Sequence, residues 1–67
     1  DWLRLGAVLA GRGRYTAALD ALLAAAERDK AVARGDARAL MVEIFHVVGV
    51  RSPVADDYRD RLQKLLY

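Results

Sequence analysis

Cysteine and asparagine are absent from the 67-residue sequence, and histidine, proline, glutamine and tryptophan occur once each. Without cysteine, the chain can form no disulfide, no thiolate zinc site, no iron–sulfur cluster and no redox cysteine pair. One histidine beside only two glutamates offers few donors for a transition-metal site, which usually needs three or four protein ligands. The sequence therefore predicts no metal and no cofactor.

Charge of one sign and long apolar runs are also scarce. The 11 basic and 9 acidic residues are interleaved and leave a net charge of +2. No basic stripe is large enough to neutralise many phosphates. The longest stretches free of Asp, Glu, Lys and Arg cover seven residues, as from 44 to 50, whereas a membrane-spanning helix needs roughly 20 apolar residues. We therefore expect neither a nucleic-acid nor a membrane partner.

Alanine, by contrast, is abundant, with 13 residues, and β-branched residues other than valine are few. Because alanine is the best helix former, the composition predicts an all-α fold. Glycine and proline divide the chain at 11–14, 29–36 and 49–53 into four segments of helical period. Four helices with short connections predict one domain of two antiparallel hairpins, residues 1–30 and residues 36–67.

The apolar residues of each segment repeat on one face. In the first hairpin these faces carry Trp2, Leu5, Val8 and Leu9, followed by Tyr15, Leu19, Leu22, Leu23 and Ala26. The third segment, 37–48, is so apolar that we expect it to be buried on most sides. In the fourth, Ser52 is a predicted N-cap and Pro53 suits the first helical position. Gly49 is placed to end the third helix with a positive φ.

The first hairpin resembles the tetratricopeptide repeat. Trp2-x2-Leu5-Gly6-x2-Leu9 fits the opening W-x2-L-G-x2-Y of that repeat, with leucine in place of tyrosine, and Ala18-x3-Leu22-x2-Ala25 fits its second helix. Small residues suit the point where the two helices cross, and the tryptophan is expected to pack within the repeat. The resemblance covers about 30 residues and implies a right-handed helical repeat that binds proteins.

The second hairpin, a degenerate repeat, is more particularly similar to the C-terminus of bacterial thioredoxin-like co-chaperones, the chaperedoxins. The similarity rests on Gly35-Asp36-x-Arg38, Ile44-Phe45, Gly49, Pro53, Tyr58-Arg59-x-Arg61-Leu62 and Leu66-Tyr67. It implies a cytoplasmic protein in which a thioredoxin domain precedes the repeats, and which binds unfolded clients and cooperates with chaperonins. The chain is accordingly expected to be a piece of a larger protein. One repeat face near Val8 and Leu9 would then lack a neighbour, which predicts self-association of the isolated chain.

If the repeat hypothesis holds, the first and third helices line a groove. Helical spacing assigns six candidate partner-binding residues to it: Leu3, Ala7, Ala10, Ala39, Glu43 and His46. The absence of asparagine argues against a clamp for peptide carboxylates. A mostly apolar surface of this kind favours loose recognition of extended or unfolded segments.

Three alternatives stay open. The chain is a generic tetratricopeptide scaffold of another host, or a helical nucleic-acid-binding module that uses arginines near its helix ends, or, least favoured, a fragment of an enzyme. No catalytic residue is predicted, because no side chains at suitable spacing form a triad with His46, and the glycines around Arg12 have the pattern of a turn.

Overall fold

The computed structural model describes residues 1–66, and the regular structure of this part is entirely helical. The helices are α1 (Trp2–Gly11), α2 (Tyr15–Arg28), α3 (Lys30–Arg34), α4 (Asp36–Val48) and α5 (Pro53–Leu66). They include 85% of the described residues. The all-α prediction of a two-hairpin helical repeat is therefore confirmed.

The connection between the hairpins is not the loop that the sequence predicted, since it contains α3. Asp29 begins this helix as its N-cap, because its carboxylate accepts a hydrogen bond of 2.8 Å from the backbone N–H of Ala31. Ala33 is completely buried. The connection thus contributes to the core through a short, alanine-containing helix.

Helix α2 lies at the centre of the fold and packs against every other helix of the described chain. Its buried residues are Ala18, Leu19, Ala21, Leu22, Leu23, Ala25 and Ala26. Helix α4 adds Met41, Ile44 and Phe45 to the same core, and α5 adds Ala55, Tyr58 and Leu62. The apolar face predicted for α2 is confirmed, and the rest of the core forms around it.

The predicted helix boundaries of the second hairpin follow local chemistry. Gly49 ends α4 with a φ of +105°, a backbone conformation that residues with a side chain rarely adopt. Ser52 caps α5, because its hydroxyl oxygen accepts a hydrogen bond of 3.2 Å from the backbone N–H of Ala55. Both predictions are confirmed. Gly13 has a φ of +77° in the turn of the first hairpin, as a glycine turn requires.

Exposed ion pairs run along α5. Asp57 pairs with Arg61 at 3.0 Å, and Asp60 pairs with Lys64 at 3.1 Å, as the i, i+4 spacing predicts. A third pair joins Asp56 to Arg59 at 3.0 Å. Because all three are exposed at the surface, we assign each only a few tenths of a kcal/mol, roughly 0.2–0.5.

The face predicted for α1 is largely wrong. Trp2 and Leu5 are each 43% exposed and Val8 is 47% exposed, whereas Gly6 is buried and Leu9 packs partly buried against the core. The prediction that Trp2 packs within the repeat therefore holds only in part. Among the helices of residues 1–66, α1 packs against α2 and α4 only, so its opposite side faces outward.

One further expectation is wrong. Helix α4, which corresponds to the third segment of the sequence, is not buried on most sides, because Val42 is exposed and Val47 is 61% exposed. Its buried stripe is narrower and centres on Met41, Ile44 and Phe45. In the chaperedoxin-like pattern, Tyr67 lies outside the described residues. Within residues 1–66, no helix combines the length and the apolar character needed to span a membrane.

Candidate functional site

The position of α1 depends on a close helix crossing. A Cβ atom placed on Gly6 would lie 2.6 Å from both Cγ and Cδ2 of Leu22, and 3.3 Å from the carbonyl oxygen of Ala18. No side chain fits in that space, so glycine lets α1 approach α2 more closely than any other residue would allow. This contact fixes one wall of the candidate site.

The candidate site is a groove between the first two turns of α1 and the first two turns of α4. Leu3 and Ala7 line it from α1, and Ala39 and Leu40 line it from α4. Its volume is about 490 Å³. The two alanines are exposed and the two leucines are half-buried. We refer to this depression as the α1–α4 groove.

Charged residues also line the α1–α4 groove, namely Asp1, Arg4 and Asp36. Asp1 is also the N-cap of α1, since its carboxylate accepts a hydrogen bond of 2.8 Å from the backbone N–H of Arg4. The groove therefore combines apolar residues with side chains of both charge signs. Such a surface can hold an extended chain through apolar side chains without demanding a particular charge pattern.

The structure brings together three of the six residues that the sequence assigned to partner binding. Leu3, Ala7 and Ala39 line the α1–α4 groove, whereas Ala10, Glu43 and His46 do not. Ala10 packs partly buried against the core. Glu43 is exposed, and the exposed His46 donates from Nδ1 to the carbonyl oxygen of Val42 at 2.8 Å. The binding role of all six residues stays a prediction.

Sequence reasoning missed the charged residues and one apolar residue of the groove. Leu40 follows Ala39 and belongs to the apolar face of α4, so the sequence placed it in the core. In the structure it packs against the core but is only half-buried, and its exposed part lines the groove. Asp1 and Asp36 stand next to or in the first turn of their helices. Acidic residues favour such positions, which is a signal that points to a helix start and not to a groove.

Titratable groups are not arranged for metal binding in the described chain. No group of three or more histidine or acidic side chains within residues 1–66 is placed to hold a metal ion. These residues instead form a groove of apolar and charged side chains on helices that share one core. The fold and the groove together define a class of protein, the helical-repeat interaction modules.

Comparison with protein families identifies the kind of helical repeat that the chain contains. A tetratricopeptide repeat family model matches residues 2–67, and the chain belongs to this family. Tetratricopeptide repeats generally mediate protein–protein interaction and are generally non-enzymatic. No similarity to a curated protein or to a solved structure was found.

Proposed function

We propose that this chain is the protein-binding C-terminal part of a cytoplasmic, thioredoxin-like co-chaperone, and that its α1–α4 groove binds extended segments of unfolded clients. The observation that carries the proposal is the groove floor of Leu3, Ala7, Ala39 and Leu40. The two exposed alanines leave room for client side chains, and the flanking leucines offer apolar surface. The chaperedoxin-like motif of the second hairpin supports the choice of host.

The groove suits unfolded clients better than a peptide carboxylate. Arg4 is the only basic residue among the described residues that line it, and two acidic residues lie close by. A free carboxylate would therefore meet repulsion as well as attraction. An unfolded segment presents apolar side chains in no fixed pattern, which matches a groove with little charge preference.

Suppression of client aggregation tests the proposal. The full-length protein is mixed with a chemically denatured client, and light scattering is followed with and without Ala7→Glu and Ala39→Glu. Each substitution places a carboxylate on the groove floor and should weaken suppression. The matched control is Ala31→Glu, because Ala31 is an exposed alanine that lies outside the groove. Equal activity of the groove variants and the control, with folding intact, would contradict the proposal.

The nature of the host is tested separately. A thioredoxin-like domain in the sequence that precedes Asp1 in the full-length protein would support the co-chaperone assignment. An unrelated domain there would favour the generic scaffold. If the groove still suppressed aggregation in a protein with such a domain, the binding proposal would stand and only the co-chaperone assignment would be rejected.

A further inference from the structure

A second concave surface lies between the end of α3, α4 and α5, apart from the α1–α4 groove. It is a cleft of about 400 Å³ lined by Arg34, Arg38, Val42, Phe45, Arg59, Leu62, Gln63 and Leu66. We refer to it as the arginine cleft. It shares no lining residue with the α1–α4 groove. Its volume lies within the range of about 300–1,000 Å³ that is typical of ligand sites.

The floor of the arginine cleft is apolar. Phe45 is 3% exposed and Leu62 is 5% exposed, so both belong to the core and add little accessible surface to the cleft. Val42 is exposed beside them, and Leu66 is half-buried at the end of α5. The apolar surface that a ligand can cover in the cleft therefore comes mainly from Val42 and Leu66.

The rim of the cleft is positive. Within residues 1–66, three of its lining residues are arginines and none is acidic. Arg59 is already held in place: it pairs with Asp56 at 3.0 Å, donates to the carbonyl oxygen of Val50 at 2.7 Å and lies 5.3 Å from the centre of the Phe45 ring. Arg34 and Arg38 pair with no carboxylate within residues 1–66. These two guanidinium groups can therefore bind carboxylates of a partner.

The chemistry of the floor and the rim selects one kind of ligand. We propose that the arginine cleft binds an acidic peptide segment of a partner protein, with one large apolar side chain on the floor and flanking carboxylates on Arg34 and Arg38. Gln63 supplies an amide that can both donate to and accept from the peptide backbone. This interaction is independent of client binding in the α1–α4 groove.

A nucleic acid fits the same cleft less well. The Phe45 ring is covered by Arg59, so it offers no face on which a base can stack. Among the described lining residues, only the guanidinium groups of Arg34 and Arg38 lack a carboxylate partner within residues 1–66. Two such groups suit a peptide with two or three carboxylates better than a long polyanion, whose binding depends on many basic contacts.

Peptide titrations test the proposal directly. The probe is a fluorescein-labelled peptide with one phenylalanine between pairs of aspartates, and fluorescence anisotropy reports its binding. Two matched peptides replace either the aspartates or the phenylalanine by serine. We expect both to bind more weakly, because one lacks the carboxylates and the other lacks the large apolar side chain. Equal binding of the serine-for-phenylalanine peptide would overturn the role of the floor.

Variants of the protein locate the site. The double substitution Arg34→Gln and Arg38→Gln should raise the dissociation constant by up to about tenfold, since each exposed ion pair contributes at most roughly three- to fivefold. Arg12→Gln with Arg14→Gln makes the same change in net charge at exposed positions outside the cleft and should leave binding unchanged. An equal loss of affinity in both double variants would show that only the net charge of the protein matters, and it would overturn the proposal.

A second pair of variants tests the floor without disturbing the core. Val42→Glu places a carboxylate inside the cleft and should abolish binding, whereas Val47→Glu makes the same change at an exposed position of α4 outside the cleft. Circular dichroism verifies that both variants fold. Binding retained by Val42→Glu would overturn the proposal. So would tighter binding of a single-stranded oligonucleotide, or occupation of the cleft by a second copy of the chain in the absence of peptide.

Discussion

The hydroxyl of Tyr58 donates a hydrogen bond to the carboxylate of Asp20, which links α5 to α2 across 38 positions of the sequence. Tyr58 is buried, and its ring also lies 5.0 Å from the guanidinium carbon of Arg61. Burial and then the neighbouring Asp20 raise the pKa of Tyr58 from 10.0 to about 12. This contact ties the last helix to the centre of the fold.

The Tyr58–Asp20 contact predicts a change of stability at alkaline pH. Because folding favours the protonated hydroxyl, its contribution is complete below pH 10.0 and is lost as the pH rises towards about 12. Tyr58→Phe should cost about 1 kcal/mol at neutral pH and should flatten the loss of stability over that alkaline range. Urea unfolding at several pH values measures both effects. The control is Tyr15→Phe, and an equal alkaline loss in wild type and Tyr58→Phe would contradict the assignment.

The crossing of α1 and α2 predicts opposite outcomes for two glycines of one helix. In Gly6→Ala the added methyl group overlaps Leu22, at a steric cost of about 1–3 kcal/mol. Alanine's helix-propensity advantage of about 1 kcal/mol offsets only part of that cost, so the variant should be less stable than the wild type. Gly11→Ala adds a methyl group that meets no atom within 4 Å and should be neutral or slightly stabilising. Thermal unfolding distinguishes the two. A Gly6→Ala protein as stable as Gly11→Ala would show that the helices do not cross this closely.

Phe45 tests which face of α4 is buried. Its ring lies in the core with 3% exposure, so Phe45→Ala should cost about 3–5 kcal/mol. That loss is comparable with the total stability of a small domain, about 5 kcal/mol at the low end. Val47→Ala on the exposed side of the same helix should have little effect. The two midpoints of urea unfolding are compared, and similar values would contradict the orientation of α4.

The outward face of α1 predicts self-association. Trp2, Leu5 and Val8 repeat at every third position and are all exposed, and together they form an apolar face that a second copy can cover. Leu9, which the sequence placed on the same side, packs instead against the core. Sedimentation should show an average mass that rises with protein concentration, and Leu5→Glu should suppress the increase while Val47→Glu should not. A strict monomer up to millimolar concentration would contradict the prediction.

Helix ends were predictable from the sequence because short-range chemistry determines them. Ser52 accepts a hydrogen bond from a backbone N–H three residues on, Gly49 has a positive φ, and Pro53 is the first residue of α5. Each of these signals is visible within a few residues of the sequence. The short helix α3 was missed, because five residues are too few for a periodic pattern. Its N-cap, Asp29, was the available signal.

The orientation of α1 could not be predicted from periodicity. Leu3, Leu5, Val8 and Leu9 surround most of the helix, so the apolar pattern favours no single face. The choice is tertiary, since only the side that carries Gly6 can approach Leu22. The groove shows the same limit of periodicity: of the six residues that helical spacing assigned to it, Leu3, Ala7 and Ala39 line it, whereas Ala10, Glu43 and His46 do not, and the binding role of all six stays a prediction.

The central claim is that unfolded polypeptide binds in the α1–α4 groove, and backbone amide NMR tests it most directly. The ¹⁵N-labelled protein is titrated with a reduced and alkylated globular protein that stays unfolded in buffer. We predict that the largest shift changes map to Leu3, Ala7, Ala39 and Leu40, and that Ala39→Glu removes them. Changes confined to the outward face of α1 or to the arginine cleft, with the groove amides unmoved, would contradict the claim.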